Sequence, residues 1–448
     1  MSHHQKLRVL VVGASIAGPT AAYWFAKAGA QVTVIERFPQ LRVGGQAIDI
    51  RTVGVTVMRK MSGMEAAVRA KATPITGIRF VDSHCRAVAT IEATSNPDQQ
   101  SLVSEYEILR GDLAEILVDL TRTNENIRYI FGEQVASIEP RSPAPTSDNK
   151  PNTDITDNGP VTVTFINNTL PPTKFDLVVA CDGSTSRTRA LGFACPVRAH
   201  MRPINWWAAY FSIRGDPDPS LPLSQLHSTT LGQAYSAPGG RLIMAGPDRS
   251  PGVTRAAIMG IQQPAHLMAS FREAQQQGED ALKSLIAEQF SSAGWLCPAL
   301  IAGMLAASPD FYATEIVQVR PPSLYNLSRR VVLVGDAGYA AGPTGTGTSL
   351  ALAGAYVLAG EVARHRGDLR RALAGYEQVM RPLVEELTQI PNLLGTALAP
   401  QTRWGVRVRN GVLWFVSWSG LLGWVQQFMA GAFKKMEEEM LPEYDWVE

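Results

Sequence analysis

Cysteine is scarce in this chain of 448 residues. Cys85, Cys181, Cys195 and Cys297 form no CxxC pair and no paired spacing. That pattern argues against a disulfide framework or a cysteine zinc site, and fits a reducing compartment. The seven histidines make no HxH or HExxH arrangement, so no metal site is expected. An excess of either charge is missing too, with 41 Lys and Arg against 40 Asp and Glu. Lacking a basic stripe, the chain carries no electrostatic footprint for nucleic acid. No signal-peptide cleavage pattern precedes the first apolar strand, "LRVLVV", which gives the expectation of a cytoplasmic protein. No internal repeat is visible.

One long uncharged run does occur, from Gly411 to Phe433. As a helix it would reach roughly 35 Å, enough for a bilayer core of about 30 Å. Ser417, Ser419, Gln426, Gln427 and several glycines interrupt it. Trp414, Trp418, Leu421, Leu422, Val425 and Met429 then fall at helical spacing, which makes one apolar stripe. A helix docked by that stripe is the preferred expectation, ahead of membrane association, and a true span is the least favoured.

The chain opens as strand, turn, helix, strand: "LRVLVV", "GASIAG", "PTAAYWFAKAG", "AQVTVIE". "IRYIF", "QVASIEP", "VTVTF" and "FDLVVACDG" read as further short strands. Between the second and third of these, residues 141–160 are rich in Pro, Ser, Thr, Asn and Asp and read as an exposed loop. Residues 200–320 mix strand-like runs ("NWWAAYFSIRG", "RLIMAG", "TRAAIMGI") with helical ones ("EDALKSLIAEQF") and suggest a substrate domain. "RRVVLVGD" returns to the style of the opening.

The turn Gly13-Ala-Ser15-Ile16-Ala17-Gly18 sits where a dinucleotide fingerprint belongs. Gly13 permits the tight turn, Gly18 lets helix and strand approach, and N–H groups at the helix start face a pyrophosphate. Ser15 replaces the middle glycine but is small. Glu36 ends the second strand, placed for a ribose hydroxyl, and its charge opposes a 2′-phosphate, so NADPH is not expected in this turn. The turn alone does not separate FAD from NAD.

Three further pieces are informative. "ILRGDLAEIL" puts Arg110 at a helix start above Leu113 and Leu117. "DLVVACDGSTSRTRALG" ends a buried strand in Asp182-Gly183 and continues through Ser186 and Arg189. "VVLVGDAGYAAGPTGTGTSL" ends another in Gly335-Asp336, followed by closely spaced glycines. The glycine turn, DGxxSxxR and a late GD together resemble the class A FAD-dependent monooxygenases, the para-hydroxybenzoate hydroxylase-like family. In pattern they are most similar to its tetracycline-inactivating branch. "GGQAIDIR" looks like the segment that lines the flavin there, and "LPEYDW" is similar to C-terminal ends in that branch. The family often reads GDAAH where this chain reads Gly335-Asp-Ala-Gly-Tyr339.

The resemblance implies an α/β fold: a Rossmann-like, glutathione-reductase-type FAD domain, an inserted mixed β-sheet substrate domain and a C-terminal helix. The FAD domain would comprise 1–75, 101–195 and 322–395, the substrate domain 76–100 and 196–321, and the helical segment 396–448. FAD would be bound and NAD(P)H transient, since no second glycine fingerprint is visible. Gly13 to Gly18, Glu36 and Arg37 would hold the adenosine side, and Arg110 the pyrophosphate side. Asp49 or Arg51 would reach the cofactor, and Asp182, Gly183 and Arg189 would support the cleft shared with NAD(P)H. Gly335 and Asp336 would meet the ribityl chain or the phosphates. Pro343 would lie over or beside the isoalloxazine, with Gly345, Gly347 and Thr348 at its pyrimidine end. Tyr210, Tyr235 and Arg241 are candidates facing substrate.

The implied reaction inserts one oxygen atom from O2 into a hydrophobic aromatic or polycyclic metabolite, through a flavin hydroperoxide. Epoxidation, Baeyer–Villiger ring expansion and oxidative cyclisation are the alternatives within flavoproteins. A flavin-fold protein that only sequesters a metabolite is the alternative outside catalysis. A monomer or homodimer is expected, without nucleic acid.

Overall fold

The computed structural model describes residues 6–42, 45–93, 104–140, 159–218, 220–306, 310–421 and 441–446. The exposed loop expected at 141–160 lies almost wholly outside them, as do Gly44 and residues 422–433 of the uncharged run.

A six-stranded sheet organises the first body. Its order is Tyr325–Asn326, Val331–Leu333, Leu177–Ala180, Arg8–Val12, Gln31–Glu36, Ile127–Phe131, parallel except at the Tyr325 edge. The central strands are wholly apolar runs because helices or other strands cover both faces. On one side pack the helices Ala17–Lys27, Gly347–Arg364 and Leu369–Leu387. A small antiparallel sheet, Val135–Glu139, Val161–Phe165 and Thr173–Phe175, covers the other.

The second body is a seven-stranded mixed sheet in the order Tyr312–Val319, Met201–Arg214, Val253–Gly260, Arg241–Pro247, Leu231–Ala237, Gly77–Val81, Ala87–Glu92. Alternation splits it into two faces. Trp207, Ala209, Phe211, Tyr235, Ile243 and Ile258 pack beneath the helices Ala265–Gln277, Glu279–Phe290 and Cys297–Ala306. Trp207 stacks on Phe271 with ring centroids 5.0 Å apart. The opposite face carries Tyr210, Met244, Met259 and Phe80 and turns toward the first body, where Gln318 Nε2 donates to the Ala341 and Thr388 carbonyls.

The closing "LPEYDW" is docked: Trp446 lies 4.7 Å from Trp24, and Tyr444 donates to Glu361 Oε1 at 2.8 Å. The helix before it, Arg403–Trp418, differs from expectation. It rests on the edge strand Ala87–Glu92 and the more central strand Leu231–Ala237, but none of its residues is fully buried. Trp414 and Trp418 are 55% and 71% exposed, so the described part of the stripe expected to dock it faces outward, while Leu422, Val425 and Met429 lie outside the described residues. Arg409, Asn410 and Leu413 take the inward side instead. No helix among the described residues is long and apolar enough to cross a membrane.

Candidate functional site

Three strand ends converge at the carboxyl edge of the parallel sheet, where α/β folds bind ligands. Arg8–Val12 leads into the Gly13 turn, Leu177–Ala180 into Asp182-Gly183, and Val331–Leu333 into Gly335-Asp336. Close approach forces the glycines. A Cβ on Gly13 (φ +106°) would stand 2.6 Å from the Cys181 carbonyl oxygen, and one on Gly18 would stand 1.8 Å from the Gly13 oxygen. Gly335 (φ +65°) is wedged between Ala17 and Ala351, so the two sequence motifs touch. The N-termini of the helices Ala17–Lys27 and Gly347–Arg364 therefore open side by side onto one cleft. Each carries about half a positive charge in unpaired N–H groups.

Asp336 is reachable by water although protein surrounds it. Burial raises its carboxyl pKa and Arg110 pulls it back, which puts the two charges on the same cleft. A Cβ on Gly347 would lie 3.7 Å from Asp336 Oδ1, so the second helix N-terminus is beside it. Pro343, Gly345 and Thr348 continue this wall and remain partly open. Glu36 accepts hydrogen bonds from Ala14 N at 2.9 Å and Phe38 N at 3.1 Å, which ties the second strand to the glycine turn. Arg37 is exposed and stacks on Phe38.

Asp49 and Arg51 do not act separately: Arg51 Nη2 donates to Asp49 Oδ2 at 3.0 Å, and Arg51 N donates to Ser349 Oγ. The pair is thus fastened to the start of the helix Gly347–Arg364. Glu107 lies opposite Asp49 in the strand pair Ala47–Asp49 with Glu107–Leu109. Burial, with Asp49 adding, pushes the Glu107 carboxyl up to about 7.

Other candidates prove structural. Arg189 is fully buried and donates to the carbonyls of Ala337, Ser184 and Val197, so it clamps the Asp182 loop to the Asp336 loop and cannot reach a cleft. Asp182 accepts from Ser186 Oγ and from Thr188 N and Oγ1, which holds the turn that carries Gly183 (φ +83°) and the start of the next helix. Tyr235 is on the helix-covered face and donates to Ala293 O at 2.9 Å. Arg241 donates to Pro238 O and Gln289 O at the end of the same face. Of the three substrate candidates, only Tyr210 lies on the face toward the first body. Burial, with Tyr312 adding, pushes its phenol up to about 12, so it stays neutral.

Sequence reasoning missed Arg42. Its guanidinium sits 4.7 Å from the Tyr312 ring, across the cleft between the two bodies. Burial lowers its pKa, Tyr312 opposes, and Arg110 and Arg37 push the same way as burial. Three cations therefore gather on one side of the cleft, a setting for phosphate oxygens. No motif marks Arg42, because Tyr312 and Arg110 reach it from segments distant in sequence.

These features fit FAD. A glycine cradle that any Cβ would fill, two helix N-termini, a cationic edge and an open carboxylate supply the donors and the acceptor that a dinucleotide requires.

Comparison with known proteins agrees. Residues 6–295 match a family model described as "FAD binding domain". The chain is 32% identical to a monooxygenase of Cercospora beticola, CTB7, over 98% of both chains. It is 32% identical to the FAD-dependent monooxygenase asL4 of Sarocladium schorii, over 91% of this chain and 92% of that one. Among solved structures it is similar to the tetracycline destructase Tet(51), with TM-score 0.73 and 26% identity over 98% of this chain and 100% of that one.

Proposed function

The chain belongs to the FAD-dependent monooxygenases, and on that premise we propose that it uses NAD(P)H and O2 to hydroxylate a hydrophobic aromatic or polycyclic metabolite. The observation that carries this is the single cleft into which the Gly13 turn, Asp336 and two helix N-termini open, with the apolar face of the seven-stranded sheet turned toward it. Held by these residues, FAD would supply the redox chemistry between NAD(P)H and O2. Atoms and charge balance when one oxygen enters the substrate, the other leaves as water, and NAD(P)H together with one proton is consumed to give NAD(P)+.

The protein's share is binding, orientation and exclusion of water. Gly13 to Gly18 and Glu36 hold the adenosine end, and Arg37, Arg42 and Arg110 screen the phosphates. Gly335 and Asp336 anchor the polyol between. Pro343, Gly345, Gly347 and Thr348 wall the ring end, where the helix dipole favours negative charge on the pyrimidine carbonyls. The Asp49–Arg51 pair is tied to the same helix start through Ser349 and stiffens this wall. The described residues within 76–100 and 196–321 make the substrate body, where Ala208, Tyr210, Met244 and Ala257 offer a flat apolar floor.

The test has two steps. Purified protein reconstituted with FAD should show the flavin's visible absorbance and bleach with NAD(P)H and a planar aromatic substrate. Isotopically labelled O2 should place one labelled atom in the product. Colourless protein would overturn the cofactor assignment, and unlabelled product would overturn oxygen insertion.

A further inference from the structure

The helix Arg403–Trp418 leaves its aromatic residues exposed. Its outward side carries Trp404, Val408, Val412, Phe415 and Trp418, each more than half exposed. The opposite, half-buried side mixes Val406, Leu413 and Val416 with Arg409, Asn410 and Ser417. Polar groups ordinarily face water, so Arg409 and Asn410 on this side call for partners of their own.

What it meets among the described residues does not satisfy them. Arg409 Nε and Nη1 are shut off from water with no acceptor among the described residues, and Oδ1 of the next residue, Asn410, accepts nothing there. The guanidinium sits 5.5 Å from the Phe80 ring, and desolvation alone pulls its pKa down to about 10, with no acidic neighbour in opposition. A desolvated cation without a partner is costly, and a partner anion removes most of that cost. The helix that carries it has no fully buried residue, so it is lightly held and can shift to admit one.

Phe80 fixes where such an anion would be. The row Phe80, Ala234, Met244, Ala257, Tyr210 runs straight across five adjacent strands on the face turned to the FAD body. Four strand spacings separate its ends by about 19 Å, enough for a planar polycycle lying across slender side chains. Arg409 stands over one end of this floor. Tyr210 stands near the other, one strand from Gln318 and the loop that follows Asp336.

We propose that Arg409 and Asn410 are specificity-determining residues that hold an ionised oxygen of the substrate (carboxylate, phenolate or enolate), with a neighbouring hydroxyl donating to Asn410 Oδ1. This deepens the proposed function by naming a substrate class: planar aromatics that are acidic at the end remote from oxygen insertion.

Titration calorimetry of the FAD-loaded protein with an anthraquinone carboxylate and with its neutral carboxamide tests this without turnover. The wild type should bind the carboxylate about tenfold or more tightly than the carboxamide, the worth of a charge-assisted hydrogen bond. Arg409→Gln should erase that preference and keep the carboxamide affinity, while Arg409→Lys should keep part of it. No preference in the wild type, or equal loss of both ligands in R409Q at normal FAD content, would overturn the proposal. FAD content, read from visible absorbance, is a separate readout. FAD-loaded protein without carboxylate preference overturns this inference alone, whereas protein that holds no FAD overturns the function beneath it.

Discussion

The phenol oxygens of Tyr339 and Tyr376 lie 3.2 Å apart in the core, and Tyr376 donates onward to the Leu333 carbonyl at 2.7 Å. The tyrosine that departs from the family's usual GDAAH thus turns away from the cleft and packs the loop after Asp336 against two helices. Gly354 makes the room, since a Cβ there would lie 1.8 Å from the Tyr339 hydroxyl and 3.0 Å from its Cζ. Gly354→Ala should therefore destabilise the fold by about 1–3 kcal/mol through overpacking. Adding Tyr339→Phe should recover part of that loss, although the single Tyr339→Phe variant costs about 1 kcal/mol on its own. Urea denaturation of the three variants measures the coupling. Simple additivity would mean that the hydroxyl is not what a side chain at 354 meets.

Asp336 is the residue on which the cofactor assignment can fail most cleanly. Asp336→Ala should weaken FAD retention by roughly ten- to a hundredfold, the worth of a charge-assisted hydrogen bond. Asp336→Asn, which keeps one acceptor oxygen, should retain more. Arg110→Met should weaken retention as well, and should raise the Asp336 pKa further because it removes the one opposing charge. Flavin remaining after gel filtration is the readout, and full retention in D336A would remove Asp336 from the site.

Much of the first body was legible in the chain. Strands buried on both faces read as continuous apolar runs, and each ended in a glycine-bearing turn whose use is steric. The second body hid its site for a physical reason. Both faces of its sheet are apolar, so alternation separates Tyr210 from Tyr235 without telling which face the helices cover. Arg42 left no signal because Tyr312 and Arg110 reach it from distant segments. The stripe of Trp414 and Trp418 gave the wrong side for the last helix, because apolar spacing marks a face and not the partner of that face.

Arg189 was expected to support the cofactor cleft by its position in DGxxSxxR, and it does so only at second hand. Its three carbonyl bonds join residues 184, 197 and 337. Arg189→Met would leave those carbonyls unpaired in the interior, at a cost of about 3 kcal/mol or more. The expected signature is a lower melting temperature with FAD affinity reduced only in proportion to the unfolded fraction. A stable R189M variant with greatly weakened FAD binding would restore a direct contact role.

Glu107 gives the fold a pH dependence whose sign is fixed. Its carboxyl is raised from 4.5 to about 7, first by burial and then by Asp49, against the Thr73 hydroxyl that donates to it at 2.7 Å and the Arg51 charge. A folded state that holds this proton more tightly than the unfolded chain gains stability that is complete below about 4.5 and lost as pH rises through about 7. Glu107→Gln keeps the shape and cannot ionise, so its melting temperature should fall less than that of the wild type across that window. Thr73→Val removes the bond that favours the carboxylate, so the Glu107 carboxyl should hold its proton longer and the loss of stability should move to higher pH. Melting curves over the window decide it: parallel profiles for wild type and E107Q would mean that Glu107 is already ionised in the fold, with Arg51 and not burial setting its charge.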